Sequence, residues 1–285
     1  MMTLEQLRIF VAVAEREHLT QAAEALHLTP SAVSSAIRVL EERYGIALFH
    51  RTGRRIELTE AGLAFLPEAK ATLARATSAD LFLTEIGGLK RGTLAIAASQ
   101  TVGGYWLPPL LLRFHETYPA IDIRMVGGNT EQAAEAVLEG RAELGIIEGE
   151  VDHPALSQRF VARDRVLVVA PAGHALAGRP VTPDELTQAR WVLREPGSGT
   201  RSALTSVLDE MALDITLSLP SNEAVRSAVL SGNALTAVSE YVVRDDLATG
   251  RLVPVAFDLP ERAFRLLRHK ERYRSKAALA FETLL

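Results

Sequence analysis

The sequence predicts an α/β protein in two parts joined by one long helix. Three observations carry this. Residues 4–43 repeat apolar side chains at helical spacing in successive short runs. Residues 44–62 read as a short β-hairpin around Thr52-Gly53. From residue 93 onward, short apolar runs bounded by turn residues alternate with amphipathic ones, the pattern of parallel βα units.

The first run, LEQLRIFVAVAEREH, is an amphipathic helix with Leu4, Leu7, Phe10, Val11 and Ala14 inward. Next, Thr20 can cap a short helix over Gln21–Leu26, its hydroxyl accepting from orphan amide protons. His27-Leu28 is the break. Thr29 caps a second helix with Pro30 at its first position, where the missing N–H needs no partner. That helix spans about 31–43, with Ala32, Val33, Ala36, Ile37 and Leu40 on its apolar side. Its other side is Ser31, Ser34, Ser35 and Arg38, small and hydroxyl-rich. Two helices on a short turn, the second thin at its start, form a helix-turn-helix that can enter a major groove N-terminus first. Ser and Thr hydroxyls donate to phosphates, and short side chains let the backbone approach. The following hairpin, or wing, carries Arg51, Arg54 and Arg55.

Thr59-Glu60 starts a long helix whose Leu66, Ala69, Leu73, Ala76 and Leu83 follow 3/4 spacing, the seam of a two-stranded coil. Asp80 interrupts the seam and Pro67 is expected to kink the helix. Such a helix can lie on its own domain or pair subunits, and its place between two domains favours pairing. Gly87-Gly88 ends it, and Lys90-Arg91-Gly92 is a hinge.

Beyond the hinge, strands TLAIAAS, IDIRMVG and ELGIIEG alternate with helices over 103–117 and 130–139. LSQRFVA crosses to a second set: RVLVVAP, WVLRE, a helix over 200–211, ITLSLP, a helix over 223–230, ALTAVS, a helix over 240–248, then RLVPVAF and FRLLRH. A helix over 275–285 ends the chain. The domains expected are thus 1–58 for the winged module, 59–90 for the linker and pairing helix, and 91–285 for two lobes. Lobe I takes 91–161 and 265–285; lobe II takes 162–264. Two α/β lobes joined by two crossing strands resemble periplasmic solute-binding proteins. The tail over 261–285 holds seven Lys/Arg against three acids and reads as a solvated helix face.

Ligands of open α/β sheets sit beyond the carboxyl ends of strands. Three such ends bear hydroxyls and glycines. Ser99-Gln100-Thr101 follows the first strand, and Gly128-Asn129-Thr130 opens a helix. Gly197-Ser198-Gly199-Thr200-Arg201 follows WVLRE, its glycines baring amides at a helix start beside Arg201, the makings of an anion site. Ser99, Thr130 and Thr200 also suit plain helix caps, a role compatible with binding. Glu148, closing ELGIIE, argues the other way: in the cleft it would repel an anion or demand a positive group on the ligand.

Composition narrows the chemistry. The 285 residues carry a net charge of −4, but it is unevenly placed. Residues 29–58 hold five Arg against three Glu, whereas 91–260 hold 14 Lys/Arg against 21 Asp/Glu. Basic side chains therefore cluster where a phosphate backbone would lie. One near-neutral module binds duplex DNA weakly, and pairing modules multiplies the contacts. The chain has no Cys, and its seven His are scattered without metal-ligand spacing, so neither thiol chemistry nor zinc is expected. The GxSxG of a nucleophile elbow, the Lys of a phosphate-cradling loop and the dinucleotide fingerprint are absent. No paired carboxylates suggest acid/base work. No signal peptide and no run near ~18 apolar residues is present, which points to a cytoplasmic protein without membrane association.

The run LRIFVAVAE…LTQAAEALHLTPSAVSSAIRVLEERYGIALFHRTGRRIELTEAG resembles the N-terminal domain of LysR-type transcriptional regulators. The match is dense over about 3–66 and looser along the rest. At Ser35-Ala36 the chain departs from the longer polar or basic pair common there. The resemblance implies an operator in double-stranded DNA as partner and a homodimer or homotetramer as assembly, with RNA polymerase as a further contact. It implies no cofactor and no enzymatic activity. It also implies an inducer bound between the lobes, at Ser99, Thr101, Thr130, Ser198 and Thr200. REPGSGTR looks most like the branch regulating sulfur assimilation and carbon fixation, whose effectors are small anions or phosphorylated metabolites. A rival reading is a non-enzymatic solute-binding module with a vestigial DNA-binding domain.

Overall fold

The computed structural model describes residues 1–52, 55–85 and 92–285 and divides the chain into two compact units, Met1–Ile86 and Gly87–Leu285. The first unit is helical with a hairpin. Helix α1 (Leu4–Arg16) opens on a capping box in which Thr3 and Gln6 bond each other's backbone N–H at 3.1 and 3.0 Å. Helix α2 (Leu19–Leu26) begins earlier than expected. Its cap is His18, whose Nδ1 accepts from the Gln21 N–H at 3.4 Å, so Thr20 is an exposed first-turn residue and not the cap. Leu19 packs on the core, which turns the chain helical before Thr20. His27 takes φ 55° to break the chain, and Thr29 caps α3 (Pro30–Tyr44), its Oγ1 accepting from the Ala32 N–H at 3.2 Å.

Val33, Ile37 and Leu40 of α3 join Phe10, Val13, Ala22, Ala23 and Phe49 in one core. Strands β1 (Phe49–Thr52) and β2 (Arg55–Leu58) pair antiparallel as the expected wing. Arg54 lies outside the described residues, as do the side chains of Arg51 and Arg55, the Gly87-Gly88 stop and Lys90-Arg91 of the hinge.

Thr59 bridges hairpin and α4 (Glu60–Glu85): its Oγ1 donates to the Ala47 carbonyl at 2.7 Å and accepts from the Gly62 N–H at 3.0 Å. A Cβ on Gly62 would collide with the Leu48 carbonyl oxygen, which the Thr59 N–H already holds at 2.9 Å. Gly62→Ala should therefore unseat α4 and cost about 1–3 kcal/mol as an overpacking change. A drop in the melting temperature of residues 1–86 checks it; an unchanged one refutes the contact. The first half of the expected subunit seam has another occupant. Ala69 is buried and Leu66 and Leu73 pack against this unit's own core, while Leu83 stays 67% exposed. Covering the α1–α3 core takes priority because the winged module is too small to bury it alone.

The second unit has two lobes. Lobe I holds β3 (Gly92–Ser99), α5 (Pro108–Thr117), β4 (Ile121–Gly128), α6 (Thr130–Glu139), β5 (Leu144–Glu148) and β6 (Leu156–Asp164). Lobe II holds β7 (Val166–Pro171), α7 (Pro183–Thr187), β8 (Arg190–Arg194), α8 (Gly199–Thr205), β9 (Asp214–Leu219), α9 (Asn222–Ser231), β10 (Thr236–Ser239), α10 (Glu240–Ala248) and β11 (Leu252–Asp258). Strand β12 (Arg262–His269) and helix α11 (Lys276–Glu282) return to lobe I. Its sheet runs β4-β3-β5-β12-β6, and lobe II carries β10-β7-β11 and β8-β9. The β3–β4, β3–β5 and β8–β9 pairs are parallel as expected, but β12 is antiparallel to β5 and β6, and β7 to β10 and β11.

Three expectations shift. The return to lobe I begins at Arg262, paired in register with Asp164, so the two crossings lie side by side. The helix expected over 103–117 starts only at Pro108, after a wide turn at Val102–Trp106, because proline restarts the hydrogen-bond ladder. The helix expected over 200–211 ends at Thr205, and a single turn at Glu210–Ala212, capped by Asp209, follows.

Candidate nucleic-acid interface and effector cleft

The outer face of α3 is set by what its inner face buries. With Val33, Ile37 and Leu40 inward, Ser31, Ser35, Arg38 and Glu42 align one turn apart on the exposed side. Ala32 joins this exposed face instead of the apolar one, and Ser34 is half-buried at its edge. Thr29 and Pro30 are exposed at the start, where Thr29 and Ser31 hydroxyls meet at 3.0 Å. Arg38 is 64% exposed and only loosely paired, its Nε 3.9 Å from Glu42. The result is a slim, hydroxyl-lined helix start with an exposed cation behind it, which can donate to phosphates and base edges.

In the second unit the structure brings the three expected strand ends together between the lobes. Gln100 spans the gap: its Nε2 donates to the Pro220 carbonyl at 2.6 Å and its Oε1 accepts from the Asn222 N–H at 3.1 Å. Asn222 Nδ2 donates to Thr101 Oγ1 at 3.2 Å. Tyr105 donates to Glu223 at 3.0 Å, and burial, reinforced by that carboxylate, pushes the phenol up to about 12, so it remains a donor. Ser99 is fully buried, and its Oγ has no hydrogen-bond partner among the described residues.

The other half of the cleft is packed by glycines. A Cβ on Gly199 would fall 2.8 Å from the Glu148 carbonyl and 3.0 Å from Thr130 Oγ1. Gly197 has φ +81°, and a Cβ there would meet Glu131 Oε2 at 2.5 Å. Thr130 Oγ1 donates to the Glu148 carbonyl at 3.2 Å, and Ser198 caps α8. A side pocket of about 480 Å³ opens here, with Thr130, Glu131, Glu148, Gly197, Gly199 and Arg262 in its wall.

Arg262 stands beside Glu148 and offsets its charge. Its Nε and Nη2 both lie 2.6 Å from Asp164 Oδ2, its Nη1 donates to Thr200 Oγ1 at 3.1 Å, and Nη2 stands 3.6 Å from Glu148 Oε1. Glu148 thus lines the pocket with a buried guanidinium near its carboxylate, while its Oε1 has no hydrogen-bond partner among the described residues. Burial pushes the Asp164 carboxyl above its ordinary range against the opposing pull of Arg262 and Ser239.

Arg201 is a correction. It turns into lobe II, where Nη1 donates to the Arg194 carbonyl at 2.8 Å and Ser218 Oγ at 3.1 Å, and Nη2 pairs with Glu210. It ties α8 to β8 and β9 because those carbonyl and hydroxyl acceptors lie under the helix. The basic tail is another correction. The strand expected at FRLLRH is present as β12, and what differs is that Arg262 at its start is buried, not solvated. Arg272 too is turned inward, donating to the Val137 and Leu138 carbonyls. Reasoning from sequence also missed Asn222 and Arg194. The only available signals were an Asn after the helix-capping Ser221 and an Arg closing an apolar strand.

A helix-turn-helix with an open α3 face, carried on the same chain as two lobes closing on a polar cleft, defines a DNA-binding regulator with an effector domain. Known proteins of the same build agree. Residues 4–63 match the bacterial regulatory helix-turn-helix protein model of the lysR family, and residues 87–285 match the LysR substrate binding domain. The chain is 34% identical to the uncharacterized HTH-type transcriptional regulator YeiE of Escherichia coli K12, over 98% of this chain and 95% of that one. It is 33% identical to the RuBisCO operon transcriptional regulator of Allochromatium vinosum, over 98% and 94%. A full-length OxyR variant of Pseudomonas aeruginosa superposes at TM-score 0.71 with 22% identity, covering 100% of this chain and 97% of that one. The Synechocystis PCC6803 CcmR regulatory domain, in complex with 2-PG, superposes at TM-score 0.61 with 26% identity, covering 68% and 96%. This chain belongs to the LysR-type transcriptional regulators.

Among the described residues, no helix is long and apolar enough to cross a membrane.

Proposed function

We propose that this regulator acts in the cytoplasm, reads its operator with Ser31, Ser35 and Arg38 of α3 and the wing arginines, and is switched by a small anion or phosphorylated metabolite. The effector sits between the lobes against Ser99, Thr101, Thr130, Ser198 and Thr200. The carrying observation is the buried Ser99 hydroxyl, unpartnered among the described residues, beside strand ends that reach across the cleft. A buried hydroxyl is ordinarily paired, and a ligand oxygen would pair this one. Paired copies, held by the exposed half of α4, supply the phosphate contacts that one module lacks, and RNA polymerase is the further partner. No catalytic step is assigned to the chain. An effector shifts the DNA-bound arrangement only by its differential affinity for the two states.

Two measurements test this. DNA binding by the full chain should weaken steeply with added salt, as counterion release requires; salt-independent or undetectable binding would favour the vestigial-domain reading. A thermal-shift screen of small anions, 2-PG included, should raise the melting temperature of residues 91–285 for at least one of them. No shift with any of the anions would refute the anion.

A further inference from the structure

We infer that Asn222, oriented by Arg194, fixes the cleft floor as a proton donor and thereby selects an oxyanion; this rests on the effector being bound between the lobes. The reasoning starts from a guanidinium. Arg194 is 3% exposed and closes β8. Its Nε and Nη2 grip the two carboxylate oxygens of Glu195, each at 2.8 Å, which leaves Nη1 for Asn222 Oδ1 at 2.8 Å. Arginine has donors only. The Asn222 amide must therefore turn its oxygen to Arg194 and its NH₂ away, towards Thr101. Its backbone N–H is held by Gln100, so α9 cannot slip to relieve the arrangement.

Thr101 inherits that polarity. Its Oγ1 accepts from Asn222 Nδ2, and no described hydrogen bond takes its own hydroxyl proton. The proton is left for a ligand. Ser99, two residues back on the end of β3, is equally buried and equally without an acceptor among the described residues. Of the two carboxylates that could have reversed the preference, Glu195 is gripped by Arg194, and Glu148 stands 3.6 Å from the Arg262 guanidinium, which offsets its charge without hydrogen-bonding its Oε1. Bonds along the chain Glu195, Arg194, Asn222, Thr101 polarise one another in a low-dielectric interior. What fits hydroxyl donors at Ser99 and Thr101 is a compact group of acceptor oxygens: a sulfate, phosphate or carboxylate.

The test compares Asn222→Asp with Asn222→Ala in the full-length protein, titrated with inorganic sulfate and phosphate by calorimetry. Aspartate keeps the shape and still accepts from Arg194. It would also accept the Thr101 proton, turning that donor away from the ligand, and it adds a negative charge. The expected loss of anion affinity is about 100-fold for N222D and about 10-fold for N222A. A merely structural Asn222 gives the reverse order, because alanine leaves a hole and two unpaired groups, and that order overturns the assignment. Thr101 offers a second pair should N222D fold poorly. T101V should lose about 30-fold or more and T101S should stay within about 3-fold; equal losses overturn the donor role. Failure of the wild type to bind either anion overturns the anion reading of the cleft itself. Binding with the wrong order of variants overturns Asn222 alone.

Discussion

Replacing Arg262 by Met is expected to destabilise the C-terminal unit by about 3–5 kcal/mol, the cost of leaving a buried charge uncompensated. Asp164 is 2% exposed and depends on Arg262 and on Ser239 Oγ, which donates to Oδ1 at 2.6 Å. Glu148, 3% exposed, has no other cation beside it among the described residues. Methionine fills the stem of the arginine but answers neither carboxylate. Because Arg262 joins the two crossings between lobes, the loss falls on the hinge itself. The pH dependence follows from Asp164, whose carboxyl burial already raises above 3.8. A folded-state acid with a raised pKa favours the native state below its unfolded value, and that contribution disappears as pH rises through the raised one. Removing Arg262 takes away a lowering influence and raises the carboxyl further. The variant should therefore be least destabilised near pH 4 and worst at neutrality. Urea unfolding of wild type and R262M across that range measures it; a pH-independent loss under about 1 kcal/mol would contradict the network.

Replacing Ser35 by Glu should reduce DNA binding by about 100-fold or more while leaving the fold intact. Ser35 is exposed at the centre of the α3 face, between Ser31 and Arg38. Glutamate is at least as good a helix former as serine, so no loss of helix is expected. The substitution removes a phosphate donor and places an anion against the polyanion. Arg38→Ala should act more mildly, weakening binding alike on all sequences and reducing the salt slope by about 1. Anisotropy of a mixed-sequence duplex at low salt, with circular dichroism as the folding control, reads both. Wild-type affinity in S35E would show that another face meets the duplex.

How much of this was legible beforehand depended on the range of the interaction. Thr29-Pro30 marked the start of α3, because a cap bonds the residue three positions on and proline acts on its own turn. Of the strand ends, only Ser198 is a cap as such local rules allow; Asn129, not Thr130, caps α6, and the Ser99 hydroxyl caps nothing. Thr20 was misjudged as the cap, since what started α2 was Leu19 reaching a core built by other helices. The seam on α4 had the right spacing, yet spacing does not name the surface it meets, and half of it covers the chain's own module. Arg201 and Arg262 show the limit most plainly. Both are arginines beside polar residues, and nothing local says that one turns under its helix while the other, far later in the chain, reaches the cleft.

The sequence by itself determined the winged module, the alternation of strands and helices, and the family, because each is written in periodicity and in neighbours a few residues apart. Only the tertiary structure decided which side chains meet across the cleft. The Asp164–Arg262 pair joins residues 98 positions apart, and Thr101–Asn222 joins residues 121 apart. Such contacts are selected by burial: once the lobes exclude water, a charge or hydroxyl must find whatever partner the fold has placed nearby.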